Sequence, residues 1–567
     1  MKVRPPISTR RWVHLPWVEE SERLAQESSL RPILGHVLWH RGCQSREGIE
    51  GFLTPRLQML GDPFLLTDLK KAAEVILKAI EGSKRIVIYG DYDVDGMTST
   101  AFFYRFLKRL GAHVDCFLPH RMSEGYGLTL QGVKRCLAEK QPDLLIAVDC
   151  ATTAIEETQY LQSEGVQVVI VDHHELAERA PFATAFVNPH QDGILTYLAS
   201  VGLVFKVCHG ILKLGENQRK QIDLRDYLDL VALGTVADLV PLIEENRILV
   251  QRGLEQITKS QVIGIRALKR VSGIRGEVKA SDVGFRLAPR LNAGGRLGDA
   301  CRSLEVLISD DEVEVERLVQ ELDQANKERQ KIEQAILEEA FQELNLSFLP
   351  DSDRVIVLGK RGWHCGVIGI VASRIQKAYH RPTLIIGFDE AGTGKGSGRS
   401  VEGCSLVDLL RSCDSHLVTC GGHEMAAGLT VREESFEGFK KAIFEKAESA
   451  VQWSALQPTL TLHGKLQGEV VGGKLYSELN RLAPFGQKNS QPVFEIDQLE
   501  MTRAPKVFGN NHVKFFFKGE GQEVEAVGFD MADRELKTQG IKLAGVLDWD
   551  DYRGQMNVRV IDWKNGV

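Results

Sequence analysis

Short apolar runs alternate with amphipathic stretches through the first half of the chain. Residues 85–90 (RIVIYG) form a β-branched run that predicts a short buried strand. Residues 97–110 carry the spacing of an amphipathic helix, and 113–118, 144–148 and 168–171 are further apolar strands with helical segments between them. This alternation predicts βαβ units and a parallel sheet. Residues 200–260 read as mostly helical. Residues 309–341 predict one long charged helix, whose polar surface suits a connector between lobes.

A second α/β segment follows at about 353–450, with strands near 354–359 and 383–387 and glycine-rich loops at 394–398 and 421–428. After 457 the pattern changes to short strands (LTLHGKLQG, PVFEIDQLEM, HVKFFFKG, VEAVGFD, IKLAGVLDWD) separated by Gly, Asn and Asp turns, which predicts a small barrel or sandwich. The fold class is therefore α/β with a β-rich end. A lead-in spans 1–80, with Pro-rich loops and one helical stretch. A parallel-sheet domain spans 81–308, a connecting helix 309–350, a second α/β domain 351–452, and an OB-like barrel 453–567.

Bulk composition narrows the class. The 567 residues are too many for one core. No apolar run approaches the roughly 20 residues that span a bilayer. The first residues lack the continuous apolar region of a secretory signal. Ten cysteines lie scattered with no CxxC pair, which argues against a zinc ribbon and for a reducing cytoplasm. The formal net charge of −7 is unlike that of a protein that merely coats nucleic acid. A polyanion must instead meet a local basic surface, or metal ions that offset the carboxylates.

Candidate chemistry sits immediately after three of the strands. Asp91, Asp93 and Asp95 follow RIVIY, Asp149 follows LLIAV, and Asp172-His173-His174 follow VVIV. In a parallel sheet these carboxyl ends share one edge, where ligands bind. Asp238 in LVALGTVADLVPL is a fourth candidate. Carboxylates buried together need cations, and Asp with imidazole and no thiolate suits manganese or magnesium. Two ions roughly 3.5–4 Å apart need a bridging carboxylate, for which Asp149 is the choice. Taken singly, each piece has a blander reading. DxDxDG can be a calcium loop, although residues 97–103 supply no bidentate Glu. An Asp after a strand is commonly a helix cap, and a His pair is commonly surface or core. The set at successive strand ends favours a site.

These motifs resemble the DHH phosphoesterase superfamily, and within it the bacterial exonucleases that act on single-stranded DNA. The matching blocks are YGDYDVDG (89–96), PHRMSEGYGL (119–128), AVDCATT (147–153), VDHHE (171–175), GTVADLVPL (234–242), RLAPRLNAGGRLGDA (286–300), WHCGVIGIVASR (363–374), GSGRS (396–400), GGHEMAAG (421–428) and PFGQKNSQPVF (484–494). The resemblance implies a DHH domain, a DHH-associated domain and an OB-like barrel. It implies degradation of single-stranded DNA from a 5′ end, with release of 5′-mononucleotides by a metal-activated water, in DNA repair and recombination. Asp91, Asp93, Asp95, Asp149, His173 and Asp238 would hold two manganese or magnesium ions. His174 would lie just outside, orienting a ligand or touching the scissile phosphate. Cys150-Ala151 departs from the glycine common in related sequences. Tyr89 stands where other branches carry a metal-binding His, and Asp91 is the candidate to compensate.

Arg121, Ser397 and Arg399 match positions associated with gripping a 5′-terminal phosphate, and an Arg fork suits that anion. His423 would face the same cleft. Arg290, Asn292 and Arg296 read as a polar loop facing nucleic acid, or as groups that cross-link core helices. Arg266, Lys269, Arg270, Arg275 and Lys279 form a basic stretch that is either a solvated face or a track for the strand. Phe515–Phe517 and Trp549 are candidates for base stacking, with Phe516 facing opposite to its neighbours. A channel between the two α/β lobes would admit one strand and reject a duplex. A single-strand-binding protein and a RecQ-type helicase are the expected partners, with no membrane. Two rival readings stay open: a phosphodiesterase for oligoribonucleotides or cyclic dinucleotides, and a catalytically inactive DNA-binding scaffold.

Overall fold

The computed structural model describes residues 10–120, 124–125, 127–215, 222–297, 300–509, 511–532, 540–550 and 553–565. It divides into two compact units. One holds Pro16–Ala325 and His463–Val567, and the other holds Met1–Leu15 and Asn326–Leu462.

The larger unit is organised by a five-stranded sheet. Its order is His113–Phe117, Arg85–Gly90, Leu144–Val148, Gln167–Val171, Ala185–Val187, with every neighbouring pair parallel. The strands are apolar because both faces are covered. On one face Ile86, Ile88, Ile146 and Val169 join a core with Phe102, Phe106, Val204 and Val231 from the helices Val94–Arg109, Ser200–Leu214 and Leu228–Ala237. On the other, Val87, Leu145 and Ile170 pack with Val133, Cys136 and Leu161. All three motif-bearing strands therefore end on one edge.

The same unit carries a seven-stranded sheet, ordered Lys465–Gln467, Phe494–Asp497, Lys542–Asp550, Gln555–Lys564, Glu523–Gly528, His512–Lys518, Met501–Phe508. Its inward residues, including Phe494, Val513, Phe515, Phe517, Val558 and Trp563, gather into one core. Leu24, Leu34, Val37, Leu38 and Ile49 join that core from the helices Glu19–Glu27, Pro32–Trp39 and Arg46–Leu53. A fourth early helix, Leu69–Glu81, packs into the parallel-sheet core through Leu69, Ala72 and Ile76. The lead-in is thus not one helical stretch among loops. Its apolar faces complete two separate cores.

The smaller unit holds a mixed sheet ordered Thr419–Gly422, Ala426–Arg432, Thr393–Arg399, Thr383–Phe388, Ile356–Arg361. Here the expected glycine-rich loop at 394–398 is corrected, because those residues form a central strand. A Cβ at Gly394 would come within 2.5 Å of Phe388, at Gly396 within 2.7 Å of Leu429, and at Gly398 within 2.5 Å of Leu384. The glycines make room for large neighbours rather than for a bend. Likewise 421–428 belongs to two paired strands and the turn between them. Arg11–His14 pairs in parallel with Thr459–Leu462 in this unit. The long helix, Glu312–Ser347, runs from one unit's sequence into the other's. Its polar face is real, but Val315, Leu318 and Leu322 enter the parallel-sheet core, and Ile336, Leu337 and Leu344 enter an apolar cluster of the smaller unit. Among the described residues no helix is long and apolar enough to cross a membrane.

Candidate metal centre

The strand ends deliver their side chains to one place. Asp91 follows the strand Arg85–Gly90 and is buried. Asp93 caps the helix Val94–Arg109 by accepting the Gly96 N–H at 3.0 Å, which turns Asp95 inward in the first helical turn. Gly96 is required here, since a Cβ would stand 2.6 Å from the Asp91 carbonyl oxygen. Asp149 follows the strand Leu144–Val148 in a left-handed conformation, φ +60°, that a non-glycine residue adopts at a cost. His173 follows Gln167–Val171, and Asp238 closes the helix Leu228–Ala237.

His173 stands at the middle. Its Nε2 lies 3.5 Å from Asp149 Oδ1, 3.6 Å from Asp238 Oδ2 and 4.0 Å from Asp95 Oδ2. Ligand atoms within 4.8 Å of one another form three groups: Asp91, Asp93 and Asp149; Asp95, His173 and Asp238; and Asp149, His173 and His174. Asp149 belongs to two groups and so does His173, so the groups are contiguous.

The electrostatics of this cluster call for cations. Burial, then Asp93, pushes Asp95 up to about 7. Burial, then Asp95 and Asp93, pushes Asp238 up to about 8. Burial and the same carboxylates hold Asp149 well above the ordinary range. His173 is pushed down to about 4 by burial and by His174, so it presents a neutral imidazole able to bind a metal. The Oδ2 of Asp238 is buried with no hydrogen-bond partner among the described residues. Four or more carboxylates, one neutral imidazole and no thiolate fit manganese or magnesium.

Asp172, the first member of the DHH triplet, has a different task. Its Oδ2 accepts from Thr152 N–H at 3.0 Å and Thr152 Oγ1 at 2.6 Å. Its Oδ1 takes the His173 N–H at 2.8 Å and His174 Nδ1 at 2.7 Å. Burial opposes charge on His174, but the Asp172 hydrogen bond outweighs it and holds the ring up at about 9. Asn188 donates to Thr152 Oγ1 at 3.0 Å and to the His174 carbonyl at 2.9 Å, tying the second and third motifs together.

Further residues that the motif reading missed also shape the site. Ser200 Oγ donates to Asp149 Oδ1 at 2.8 Å, Ser200 N–H to Asp95 Oδ2 at 2.7 Å, and Val201 N–H to Asp95 Oδ1 at 3.0 Å. These come from the first turn of the helix Ser200–Leu214, whose positive end favours a carboxylate. A Ser at the head of an apolar helical run was the available signal. Tyr89, by contrast, is buried against Phe117 at 5.1 Å, with its hydroxyl donating to the Gly127 carbonyl at 3.4 Å.

The substrate candidates divide. Arg121 lies outside the described residues. The expected loop at 290–296 is a helix, Ala288–Leu297, and it backs onto the first motif: a Cβ at Gly295 would stand 3.1 Å from the Tyr92 carbonyl oxygen. Asn292 is half-buried on this helix, and the Arg296 side chain lies outside the described residues. Arg290 takes the cross-linking alternative, since its Nε donates to Asp323 at 2.9 Å and its Nη1 to the Arg286 carbonyl at 2.7 Å. Ser397 and Arg399 share a strand of the smaller unit. Arg399 Nη1 donates to Ser397 Oγ at 3.2 Å, and a Cβ at Gly369, in the first turn of the helix Ile368–Tyr379, would be 3.0 Å from Ser397 Oγ and 3.4 Å from Arg399 Nη2. Both face a helix start that suits an anion. His423 occupies the turn before Ala426–Arg432, where its N–H donates to the Ala426 carbonyl at 2.8 Å.

The basic stretch is largely committed elsewhere. Arg266 pairs with Glu312 at 3.9 Å, Arg270 pairs with Glu316, and Lys269 donates to the Ile257 carbonyl at 3.0 Å. Phe515 and Phe517 are core. Phe516 points to the outer face, with the Arg503 guanidinium 4.4 Å above its ring, and Trp549 stacks on Tyr476 at 5.6 Å.

Comparison with known proteins agrees with this layout. The model of the DHH family, N-terminal domain, matches residues 85–235, the DHHA1 domain matches 352–449, and the RecJ OB domain matches 462–561. The single-stranded-DNA-specific exonuclease RecJ of Bacillus subtilis (strain 168) is 36% identical over 567 residues, covering 98% of this chain and 70% of that protein. The crystal structure of RecJ in complex with Mn2+ from Thermus thermophilus superposes with a TM-score of 0.84 at 31% identity, covering 98% of this chain and 80% of that one. The corresponding Mg2+ complex gives 0.76 at 29% identity, covering 98% and 79%.

Proposed function

Since the chain belongs to the RecJ family, we propose that it is a metal-dependent exonuclease that degrades single-stranded DNA from the 5′ end and releases 5′-mononucleotides. The observation that carries this reading is the convergence of Asp95, Asp149 and Asp238 on His173, with Asp91 and Asp93 beside Asp149, at the carboxyl edge of one parallel sheet.

Asp91, Asp93 and Asp149 would hold one ion. Asp95, Asp149, His173 and Asp238 would hold the other, with Asp149 shared. When bound, such ions lower the pKa of water and stabilise charge on a transferring phosphoryl group. The chain supplies the rest. The Ser200 hydroxyl and the amides of Ser200 and Val201 fix the rotamers of Asp149 and Asp95. Asp172 fixes the His174 ring beside the cluster through the 2.7 Å bond to its Nδ1, leaving the other ring nitrogen to hydrogen-bond a phosphate oxygen. Arg121, Ser397 and Arg399 are the residues we assign to a 5′-terminal phosphate, with Asn292, Arg296 and His423 as further contacts to the strand. A cytoplasmic role in DNA repair and recombination belongs to the same reading, with a single-strand-binding protein and a RecQ-type helicase as partners that present the strand.

A time course on DNA labelled at either end tests this. With manganese, the protein should release labelled mononucleotides at once from a 5′-labelled single strand. Release from a 3′-labelled strand should come late, and a blunt duplex should stay intact. Immediate release from 3′ ends, or equal attack on duplex, would overturn the polarity or the strand specificity.

A further inference from the structure

We propose that Leu239 is a substrate-contact residue that lays its side chain against the base of the nucleotide being removed. The inference deepens the exonuclease reading and rests on it.

Leu239 is the residue after Asp238, so their Cα atoms are about 3.8 Å apart, and the Asp238 carboxylate reaches to 3.6 Å from His173 Nε2. The helix Leu228–Ala237 ends here, with the Asp238 N–H still bonded to the Gly234 carbonyl at 2.9 Å. Leu239 then takes the left-handed conformation, φ +61°. Helices commonly end this way on glycine, because any side chain is strained there. This chain instead places a large apolar side chain at that point, and the residue is 72% exposed.

The loop is not free to hide it. The Leu242 N–H donates to the Gln487 carbonyl at 2.8 Å, and Asn246 Nδ2 donates to the Pro241 carbonyl at 3.0 Å. The segment is thus fixed at its start by Asp238 and at its end by these bonds. It holds an apolar group in solvent one residue along the chain from Asp238, a member of a cluster of carboxylates and imidazoles.

The substrate explains this placement. A nucleotide whose phosphate lies at the cluster has one large apolar surface left to offer, the face of its base. Every base has such a face, so the contact adds affinity without reading sequence. That suits an exonuclease that must remove each nucleotide in turn.

The test is steady-state kinetics on 5′-phosphorylated single-stranded DNA with manganese, together with the unfolding midpoint. Leu239→Gly should raise KM about tenfold, the scale of losing a partly buried Leu contact. It should leave kcat unchanged and leave the unfolding midpoint unchanged or higher, because glycine relieves the strained backbone. Leu239→Met should restore KM. On a substrate whose 5′-terminal nucleotide lacks its base, the wild type and Leu239→Gly should have the same KM. A wild-type KM for Leu239→Gly would overturn the proposal. So would a raised KM with a lowered midpoint, or a defect that persists on the abasic substrate. A wild-type protein that fails to degrade single strands at all would instead overturn the exonuclease reading.

Discussion

The Nε2 of His173 lies 3.6 Å from the Oδ2 of Asp238, too far for a hydrogen bond and close enough for one ion to touch both. Asp238 Oδ2 is buried and has no hydrogen-bond partner among the described residues, so this gap is the most exacting feature of the site. Asp238→Asn should therefore weaken manganese binding by about 100-fold or more, measured by titration calorimetry. In EDTA the same variant should unfold at a higher temperature than the wild type, since it removes a carboxylate from among like charges. An unchanged manganese affinity would remove Asp238 from the ligand set.

Ser200 acts on the cluster without being placed to hold an ion. Its hydroxyl fixes Asp149 Oδ1 at 2.8 Å. Ser200→Ala should reduce manganese affinity by about 10-fold, while Ser200→Thr should recover most of it. The backbone bonds to Asp95 persist in both variants, so a complete loss of binding in Ser200→Ala would point to misfolding rather than to a lost orienting bond.

The early helices bring a pH dependence of their own. His36 is buried, stacked on Trp17 at 4.6 Å and edge-on to His40 at 4.7 Å, and among the described residues neither ring nitrogen has a hydrogen-bond partner. Burial, then His40, pushes it down from 6.5 to about 4. A histidine with a lowered folded pKa gives stability that is present above its unfolded pKa and lost as pH falls toward the folded one. Between pH 7 and pH 4 the wild type should lose up to about 3 kcal/mol more than His36→Phe, as read by urea unfolding at each pH.

Arg247 joins parts of the chain far apart in sequence. It is buried, and it donates to the carbonyls of Phe52 at 3.0 Å, Leu482 at 2.9 Å and Ala483 at 2.8 Å, with its guanidinium 3.8 Å over the Phe52 ring. Arg247→Met should cost about 3 kcal/mol, because one buried and two partly buried carbonyls lose their donor. Manganese affinity should not change, since none of these groups touches the cluster.

What could be read in advance follows from how local each signal is. Asp93, Asp149 and His173 each follow their own apolar strand, so a few adjacent residues disclosed both the strand and the ligand. Ser200 serves Asp149 from 51 positions away, and no local pattern announces that pairing. The glycines at 394, 396 and 398 were misread as a loop because alternating glycine signals flexibility, whereas here it accommodates Phe388, Leu384 and Leu429. For Arg290 the two readings, nucleic-acid contact and helix cross-link, stayed open because its partner, Asp323, sits 33 residues on in the long helix. The lead-in looked featureless for the same reason: Leu34 and Ile49 find their partners among strands more than 400 residues later.

The central claim is that the Asp and His residues form one two-metal centre bridged by Asp149. Titrating Mn2+ into the protein and following free and bound ion by electron paramagnetic resonance tests it most directly. The account predicts two ions per chain with a spin-coupled signal in the wild type. Asp149→Ala should fold normally but lose the coupling, one or both ions, and all cleavage of single-stranded DNA. A single uncoupled ion in the wild type, or an Asp149→Ala protein that binds manganese and cuts DNA as the wild type does, would contradict it.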